Sequence, residues 1–383
     1  MPKYIKADQF FYPHGVRRGG FLELVDGKFG KHVNQVSDDA EIIDYTGYSI
    51  APGLVDTHIH GFGGVDVMDN NIEGTLHTMS EGLLSTGVTS FLPTTLTSSY
   101  EQLLAVTENI GARYKEATGA KIRGIFLEGP FFTEKYKGAQ NPKYMSDPSV
   151  EKLAKWHELS QGLVNKIAIA PERKGVKEFI EFAKSKGVYT ALAHSDATYE
   201  EAAAAVDAGA NIFVHIYNGM SGLHHRNPGM VGAALSLDKV FAEMICDGHH
   251  VHPAAARVVT RARGPKETVL ITDCMRAGGM GEGQSRLGEF EVVVKDGTAR
   301  LKETGNLAGS ILELKQGVKN VVDWGLVSPA EALRMASLTP AQSVGIESVC
   351  GRIAPGYEAD FIVVSDQLEL EATYLDGELR YQA

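Results

Sequence analysis

From about residue 50 the chain alternates apolar, β-rich runs with helical stretches. This alternation is typical of a parallel sheet covered by helices. The pattern predicts eight strands, at about residues 51–60, 88–97, 120–129, 164–172, 188–196, 211–219, 240–250 and 268–274. Eight is the number of strands that a closed parallel barrel requires.

Helical stretches separate the strands, because Ala, Leu, Glu and Lys dominate there. They are predicted at about residues 74–86, 100–118, 175–186, 198–208, 309–324 and 329–344. The two ends of the chain differ, since both consist of short strands and turns, and neither alone could cover its apolar face. The predicted fold is α/β, a (β/α)₈ TIM-like barrel at residues 51–345 with a small β-sandwich domain formed by residues 1–50 and 346–383.

Composition narrows the possible partners. The 383-residue chain is 43% hydrophobic and has a formal net charge of −11, which opposes general attraction to nucleic acid or to an anionic membrane. No segment offers about 18 uninterrupted apolar residues for a membrane span, and the start shows no apolar run of signal-peptide length. The three cysteines are too few and too scattered for a disulfide framework or a thiolate zinc site. We expect a cytoplasmic protein that binds neither nucleic acid nor membranes.

Polar residues stand at the carboxyl ends of the predicted strands, where barrel enzymes carry their active sites. His58 and His60 are two residues apart, so on a strand both side chains face the same side. His194 and His215 end two consecutive strands, and Glu128 ends another. A histidine pair alone is as well explained by buried rings bonded to the backbone. The five residues together are a nitrogen and oxygen ligand set suited to zinc or ferrous iron.

Asp273 ends the eighth predicted strand. A carboxylate beside a bound metal can take a proton from metal-held water, whose pKa falls from 15.7 to about 7. Asp273 is therefore the candidate general base, and the alternatives are a helix cap or a further metal ligand.

The order of these motifs resembles the amidohydrolase superfamily over nearly the whole chain. The resemblance begins with PGLVDTHIHG at residues 52–61, continues through the strand-end histidines and Asp273, and ends with GRIAPGYEAD at residues 351–360. It implies a barrel enzyme that uses one or two divalent metal ions per subunit.

Further segments resemble the N-acetylglucosamine-6-phosphate deacetylases of that superfamily. They are LEGPF at 127–131, KGAQNP at 137–142, AHSDA at 193–197, HIYNGM at 215–220 and DGHHV at 247–251. The resemblance implies that Glu128, His194 and His215 hold the principal metal and that His58 and His60 hold a second.

The same resemblance implies substrate-binding residues in a homodimer. They are Arg226 and His250 for the phosphate, one of them from the neighbouring subunit, Asn218 and Gly219 for the sugar or phosphate, Leu307, Ala308 and Gly309 near the acetyl group, and Gln140. Arg226 offers a planar fork that suits phosphate, although without the resemblance it indicates only a solvated loop charge. Gln140 stands where some deacetylases have histidine, and an amide donates hydrogen bonds but carries no proton at neutral pH.

The resemblance implies metal-dependent removal of acetate from N-acetylglucosamine 6-phosphate, with Asp273 as base and then acid. The nearest alternative is another amidohydrolase reaction on the same barrel, such as hydrolysis of a cyclic amide or deamination of a base. Such a reaction would not require Arg226 and His250. A non-catalytic scaffold is the third possibility, and it has no need for the intact set of histidines and carboxylates.

Overall fold

In this computed structural model, which describes residues 3–69 and 74–383, eight strands form a parallel barrel. Numbered barrel strands 1 to 8, they are Leu54–Ile59, Val88–Thr95, Ile125–Phe131, Val164–Ile169, Tyr189–Leu192, Ile212–Phe213, Phe241–Ile245 and Thr268–Ile271. Strand 8 returns to strand 1, because the Asp273 amide donates to the His58 carbonyl at 2.9 Å and Ile59 bridges Cys274. The predicted (β/α)₈ barrel is confirmed.

The first three barrel strands are buried at every residue. Helices cover the outer face of such a barrel and side chains fill its interior, so its strands are apolar without alternation. Two charged side chains stand out in the interior: Lys166 on strand 4 and Glu243 on strand 7 are both 0% exposed and form an ion pair. A buried ion pair of this kind is costly to desolvate and calls for an explanation.

Ten α-helices lie within the described residues. They are Thr75–Leu83, Tyr100–Arg113, Val150–Leu159, Val176–Ser185, Tyr199–Ala208, Gly229–Ser236, Pro253–Arg263, Leu314–Asp323, Pro329–Met335 and Leu338–Ser343. Short 3₁₀ helices occur at Leu84–Thr86, Tyr114–Glu116, Glu134–Tyr136 and Pro142–Tyr144. None of the helices in this part of the chain is long and apolar enough to cross a membrane.

The helix predicted at residues 329–344 is two helices in the structure. Pro340 lacks the N–H that a continuous helix would donate to the Ala336 carbonyl, and its ring would clash with that carbonyl. The chain therefore ends one helix at Met335 and begins the next at Leu338, where Pro340 falls in the first turn.

Both chain ends build one mixed sheet of eight strands in the described residues. Its strands are Lys3–Tyr12, Gly15–Arg18, Phe21–Val25, Lys28–Val33, Glu41–Pro52, Phe361–Val364, Leu370–Leu375 and Glu378–Gln382. The long strand Glu41–Pro52 joins the two ends, since it pairs with Lys3–Tyr12 in parallel and with Phe361–Val364 antiparallel. The sheet curves until the rings of Phe29 and Phe361 lie 6.1 Å apart, and so encloses its own core.

An ion network fastens this small domain to the barrel. Lys121 lies on the short strand Lys121–Ile122, which extends the barrel sheet beside strand 2. Its Nζ atom donates to Glu358 at 2.8 Å, to Asp360 at 2.9 Å and to Asp376 at 2.7 Å, all of them in the small domain.

A three-stranded antiparallel sheet follows barrel strand 8, where the sequence pattern predicted no strands. It consists of Gly283–Leu287, Phe290–Lys295 and Thr298–Leu301, and we call it the inserted sheet. Its apolar side chains pack against Leu96 and Ala308 at the carboxyl end of the barrel. A two-stranded hairpin, Gly61–Phe62 with Val65–Asp66, follows strand 1.

Candidate active site

The predicted metal ligands and the predicted base meet at the carboxyl ends of the barrel strands. His58 and His60 come from the end of strand 1, Glu128 from strand 3, and His194, His215 and Asp273 directly follow strands 5, 6 and 8. The last three have positive φ angles of 45°, 32° and 50°. Left-handed backbone is uncommon outside glycine and persists only where the surroundings hold it. Backbone strain is thus located at three strand ends that carry site residues.

Glu128 lies at the centre of the site. Its Oε1 atom is 3.4 Å from Nε2 of His194 and 3.2 Å from Nε2 of His215. Oε1 is also 3.4 Å from Nε2 of His58, while Oε2 is 3.3 Å from Nε2 of His60. Two donors that each lie about 2.1 Å from one tetrahedral ion are about 3.4 Å apart. The spacing of Glu128, His194 and His215 fits such an ion.

The histidine pair and Asp273 form a second group of donors. Oδ1 of Asp273 is 3.4 Å from Nε2 of His58 and 3.1 Å from Nε2 of His60, and the two nitrogens are 3.3 Å apart. Within each of these two groups of described residues, the donor atoms all lie within 4.8 Å of one another. The site fits one or two divalent metal ions.

Three of the histidines are fixed by the ring nitrogen that faces away from the site. Nδ1 of His60 donates to the Thr94 carbonyl at 3.1 Å, and Nδ1 of His194 donates to the Tyr136 carbonyl at 2.9 Å. Nδ1 of His215 donates to the Asn218 carbonyl at 3.0 Å. Because a carbonyl only accepts, the proton must lie on Nδ1, which leaves the Nε2 lone pair for a metal ion.

His58 is held differently. Its Nδ1 atom lies 3.7 Å from Oε2 of Glu243, and neither atom has a hydrogen-bond partner in the described part of the chain. The other oxygen of Glu243 accepts from Lys166 and, at 3.3 Å, from the Thr57 hydroxyl. The buried ion pair in the barrel interior therefore lies directly beneath His58 and faces its outer ring nitrogen.

The carboxylates and imidazoles shift one another's pKa. Burial favours the neutral form of Glu128, but its interactions with His58, His194 and His215 outweigh that effect and hold the pKa of Glu128 well below its usual range. Burial also opposes the protonation of His58, yet Asp273 and Glu128 raise its pKa to about 9. The site therefore favours positive charge between its carboxylates, which a bound cation would supply.

Most of the predicted substrate residues line one pocket over the donor groups. The residues that line it are His60, Leu96, Glu128, Gly138, Ala139, Gln140, His194, His215, Asn218, Gly219, His250, Asp273, Leu287, Leu307 and Gly309. Gln140 has a fixed orientation, because its Oε1 accepts from the Thr97 amide at 2.8 Å while its Nε2 donates to Glu128 at 2.6 Å. The amide nitrogen of Gln140 thus points to the donor groups.

Two glycines allow the walls to approach closely. Gly219 has a φ of 59°, and a Cβ atom there would lie 2.8 Å from Nδ1 of His194. Gly309 also has a φ of 59°, and a Cβ atom there would lie 2.9 Å from the carbonyl oxygen of Asp273. Side chains at either position would be strained and would displace site residues.

The structure places two predicted substrate residues outside the pocket wall. Ala308 is 0% exposed and packs behind the wall in the core of the inserted sheet. Arg226 lies in an exposed turn, where its Nη1 atom is 2.8 Å from Nε2 of His225. In a single chain, Arg226 does not line the pocket that contains His250.

The sequence pattern missed several residues that support the site. Glu243 and Lys166 are charged residues within apolar runs, which was a usable signal. Asp247 was part of a recognised segment, but its contacts are visible only in the structure: its carboxylate accepts from the His250 amide at 2.8 Å and lies 2.6 Å from Nδ1 of His250. Leu287 belongs to the inserted sheet, and no sequence signal placed it at the pocket.

Comparison with known proteins defines the class. The profile of the amidohydrolase family matches residues 49–380, and the chain belongs to that family.

Several similar proteins are deacetylases. N-acetylglucosamine-6-phosphate deacetylase from Vibrio furnissii is 44% identical over 345 residues, which are 90% of this chain and 86% of that protein. N-acetylgalactosamine-6-phosphate deacetylase from Escherichia coli O157:H7 is 39% identical over 384 residues, 99% of both chains. A variant of N-acetyl-D-glucosamine-6-phosphate deacetylase from Mycobacterium smegmatis, solved in complex with N-acetyl-D-glucosamine-6-phosphate, superposes with a TM-score of 0.94 at 30% identity and covers 100% of both chains.

Proposed function

We propose that this chain hydrolyses N-acetylglucosamine 6-phosphate to glucosamine 6-phosphate and acetate. The observation that carries the proposal is a single pocket in which donors of both metal-binding groups, Asp273 among them, lie beside Gln140 and His250. The Vibrio furnissii relative, which is 44% identical, is an N-acetylglucosamine-6-phosphate deacetylase. The deacetylases named above favour this reaction over hydrolysis of a cyclic amide or deamination of a base, and a scaffold would not need these donors.

A divalent metal ion is part of the proposal. Glu128, His194 and His215 would hold it, and His58 and His60 would hold a second ion. The nitrogen and oxygen donors suit zinc or ferrous iron. When bound, the ion acts as a Lewis acid that polarises the amide carbonyl and makes water more acidic.

Asp273 acts as base and then as acid. Burial opposes its ionisation, but His58 and His60 outweigh that effect and lower its pKa. The ionised carboxylate accepts a proton from the attacking water as the new C–O bond forms. It then donates the proton to the departing nitrogen as the C–N bond breaks, because an unprotonated amide nitrogen leaves poorly.

Gln140 and the loop of Leu307 and Gly309 position the acyl group. Since the Thr97 amide fixes the Gln140 side chain, its Nε2 group can donate a second hydrogen bond to the substrate carbonyl or to a sugar hydroxyl. Gly309 lies directly against the Asp273 backbone, so substrate bound beside it would lie near the base.

The remaining polar wall binds the sugar phosphate. The carboxylate of Asp247 holds the Nδ1 atom of His250, which leaves Nε2 of His250 for a ligand in the pocket. Asn218 and Gly219 contribute the neighbouring wall. Arg226 lies outside the pocket of its own chain, and we propose that it reaches the phosphate of a second subunit in a homodimer.

We place this enzyme in the cytoplasm. A phosphorylated sugar carries a charge that keeps it from crossing a bilayer. Cys246, Cys274 and Cys350 are all unpaired and buried, as suits a reducing compartment.

The proposal is tested by kcat/KM of metal-replete enzyme on three sugars: N-acetylglucosamine 6-phosphate, N-acetylgalactosamine 6-phosphate and unphosphorylated N-acetylglucosamine. We expect the first to be the best substrate and the last to be at least roughly 100-fold poorer, because charged hydrogen bonds to the phosphate are lost. The Escherichia coli relative makes the galactosamine epimer the second candidate, and a higher value for it would reassign the sugar. Equal activity without the phosphate would remove the phosphate from the proposal.

A further inference from the structure

One corner of the substrate pocket is apolar. Leu96, Ala139 and Leu287 line it, and all three belong to the apolar cluster that the inserted sheet forms with the end of the barrel. Leu287 is the last residue of the strand Gly283–Leu287 and is 2% exposed. The barrel thus supplies the donors, while the inserted sheet supplies this corner.

The apolar corner adjoins the reacting groups. Ala139 precedes Gln140, whose Nε2 atom is 2.6 Å from Glu128. Leu96 precedes Thr97, whose amide fixes the other end of the Gln140 side chain at 2.8 Å. Ala139 is therefore next in sequence to Gln140, and Leu96 is next in sequence to the residue that fixes the Gln140 side chain.

The two substituents of an amide substrate must lie on different walls. When the carbonyl carbon is near Asp273, the amine side carries the sugar phosphate, which requires the polar wall of Asn218, Gly219 and His250. The acyl tail then has the apolar corner left to it. Leu96, Ala139 and Leu287 are suited to a short alkyl group, since burying it there removes apolar surface from water.

We propose that Leu287, with Leu96 and Ala139, limits the length of the acyl group that the enzyme removes. The inference rests on the proposed deacetylase function and adds the residues that select acetyl over longer acyl groups. The limit is stiff, because Leu287 is paired with Phe290 in a hairpin and a Cβ atom on the intervening Gly288 would lie 3.3 Å from Leu96.

The inserted sheet also fixes the adjoining loop of the pocket. The Ala308 amide donates to the Ala299 carbonyl at 3.0 Å, and the Leu301 amide donates to the Asn306 carbonyl at 2.8 Å. These bonds join the sheet to the loop that carries Leu307 and Gly309. These bonds hold the backbone of the sheet in place, so the Leu287 side chain sets the size of the corner.

The test compares kcat/KM for N-acetyl-, N-propanoyl- and N-butanoylglucosamine 6-phosphate in wild type and Leu287→Ala, both loaded with metal. A hydrophobic pocket discriminates one methylene by about 10- to 200-fold. We expect the variant to raise the butanoyl-to-acetyl ratio at least about 10-fold. Val292→Ala is the matched control, because Val292 is 1% exposed in the same cluster but does not line the pocket. It should leave the ratio unchanged.

A second variant, Ala139→Val, narrows the corner and tests the proposal if Leu287→Ala fails to fold. Ala139 is only partly buried, so Ala139→Val is accommodated in the fold while it narrows the corner. We expect it to raise the ratio of N-formyl to N-acetyl substrate about 10-fold. Unchanged ratios in the folded variants, with an active wild type, would overturn the inference. A wild type that releases no acyl group from any of these sugars would instead contradict the proposed function.

Discussion

At the scale of single residues, the site depends on the groups that hold its histidine rings. Carbonyl oxygens orient His60, His194 and His215, whereas His58 faces the carboxylate of Glu243 at 3.7 Å. Glu243 is in turn held by Lys166. A buried ion pair is weak evidence for stability, since apolar residues often replace such pairs without loss. Its position beneath His58 indicates that it orients this proposed metal ligand.

Glu243→Gln tests this role. The amide keeps the shape of the side chain but weakens the attraction for the ring N–H, so we expect metal affinity to fall about 10- to 100-fold. Chelator competition on folded protein measures it. Glu267→Gln is the control, because Glu267 pairs with Arg263 on the outer surface and is 40% exposed. An unchanged affinity in Glu243→Gln would show that the pair does not orient His58.

Asp273→Asn tests the proposed base. The amide cannot accept the proton of the attacking water, and general acid–base groups contribute about 10²–10⁴-fold to rate. We expect kcat to fall by that amount while the metal content measured by elemental analysis stays nearly intact. Loss of metal together with activity would identify Asp273 as a necessary ligand, and retained activity would exclude it as the base.

The sequence predicted that these residues lie together because they stand where strands end, and a barrel brings those ends together. It did not reveal the residues beneath them. Lys166 and Glu243 are 77 positions apart, on strands 4 and 7, and their contact depends on how the barrel interior is filled. A charged residue in an apolar run indicates a partner, but not which one.

At the scale of elements, hydrophobic runs predicted the barrel strands well because both of their faces are covered. The same criterion failed for the inserted sheet. In Gly283–Leu287 every residue but the last is at least partly exposed, so that strand carries no apolar run. The helix Gly229–Ser236 was not predicted, for the opposite reason. Its first six residues are all buried, so it lacks the polar face that reveals helical periodicity.

Lys121→Met tests the ion network between the two domains. The substitution leaves Glu358, Asp360 and Asp376 close together without the ammonium group that bonds all three. We expect the free energy of unfolding to fall by roughly 1.5–3 kcal/mol, the usual contribution of hydrogen bonds to charged groups. Urea unfolding of this variant and of the exposed control Lys266→Met measures the difference. Equal stability of the two variants would mean that Lys121 does not help to hold the domains together.

At the scale of the whole molecule, a chain of net charge −11 has to bind an anionic sugar phosphate. The overall field opposes such a substrate, so the attraction must be local. His250 lies in the pocket, but Arg226 lies outside the pocket of its own chain. The proposed homodimer, in which Arg226 of a second copy completes the site, would resolve this difficulty.

Subunit complementation tests that arrangement. Asp273→Asn and Arg226→Ala should each be inactive or severely impaired alone. In mixed dimers formed by co-expression, one of the two sites has both wild-type residues, so random pairing should restore about a quarter of the wild-type activity. Mixed dimers of Asp273→Asn with His250→Ala are the control, because Asp273 and His250 of one chain line the same pocket. Each site of such a dimer keeps one substitution, so no activity should be restored. No recovery in the Arg226 mixture would place Arg226 outside the neighbouring site.

The proposed hydrolysis requires a divalent metal ion, and acetate release during metal titration measures that requirement. The protein is stripped of metal by a chelator, and zinc or ferrous iron is added back in known equivalents with N-acetylglucosamine 6-phosphate present. We predict no acetate without metal and a rise that saturates at one or two equivalents per chain, as the adjoining groups around Glu128 and Asp273 allow. Full acetate release by metal-free protein would contradict the account.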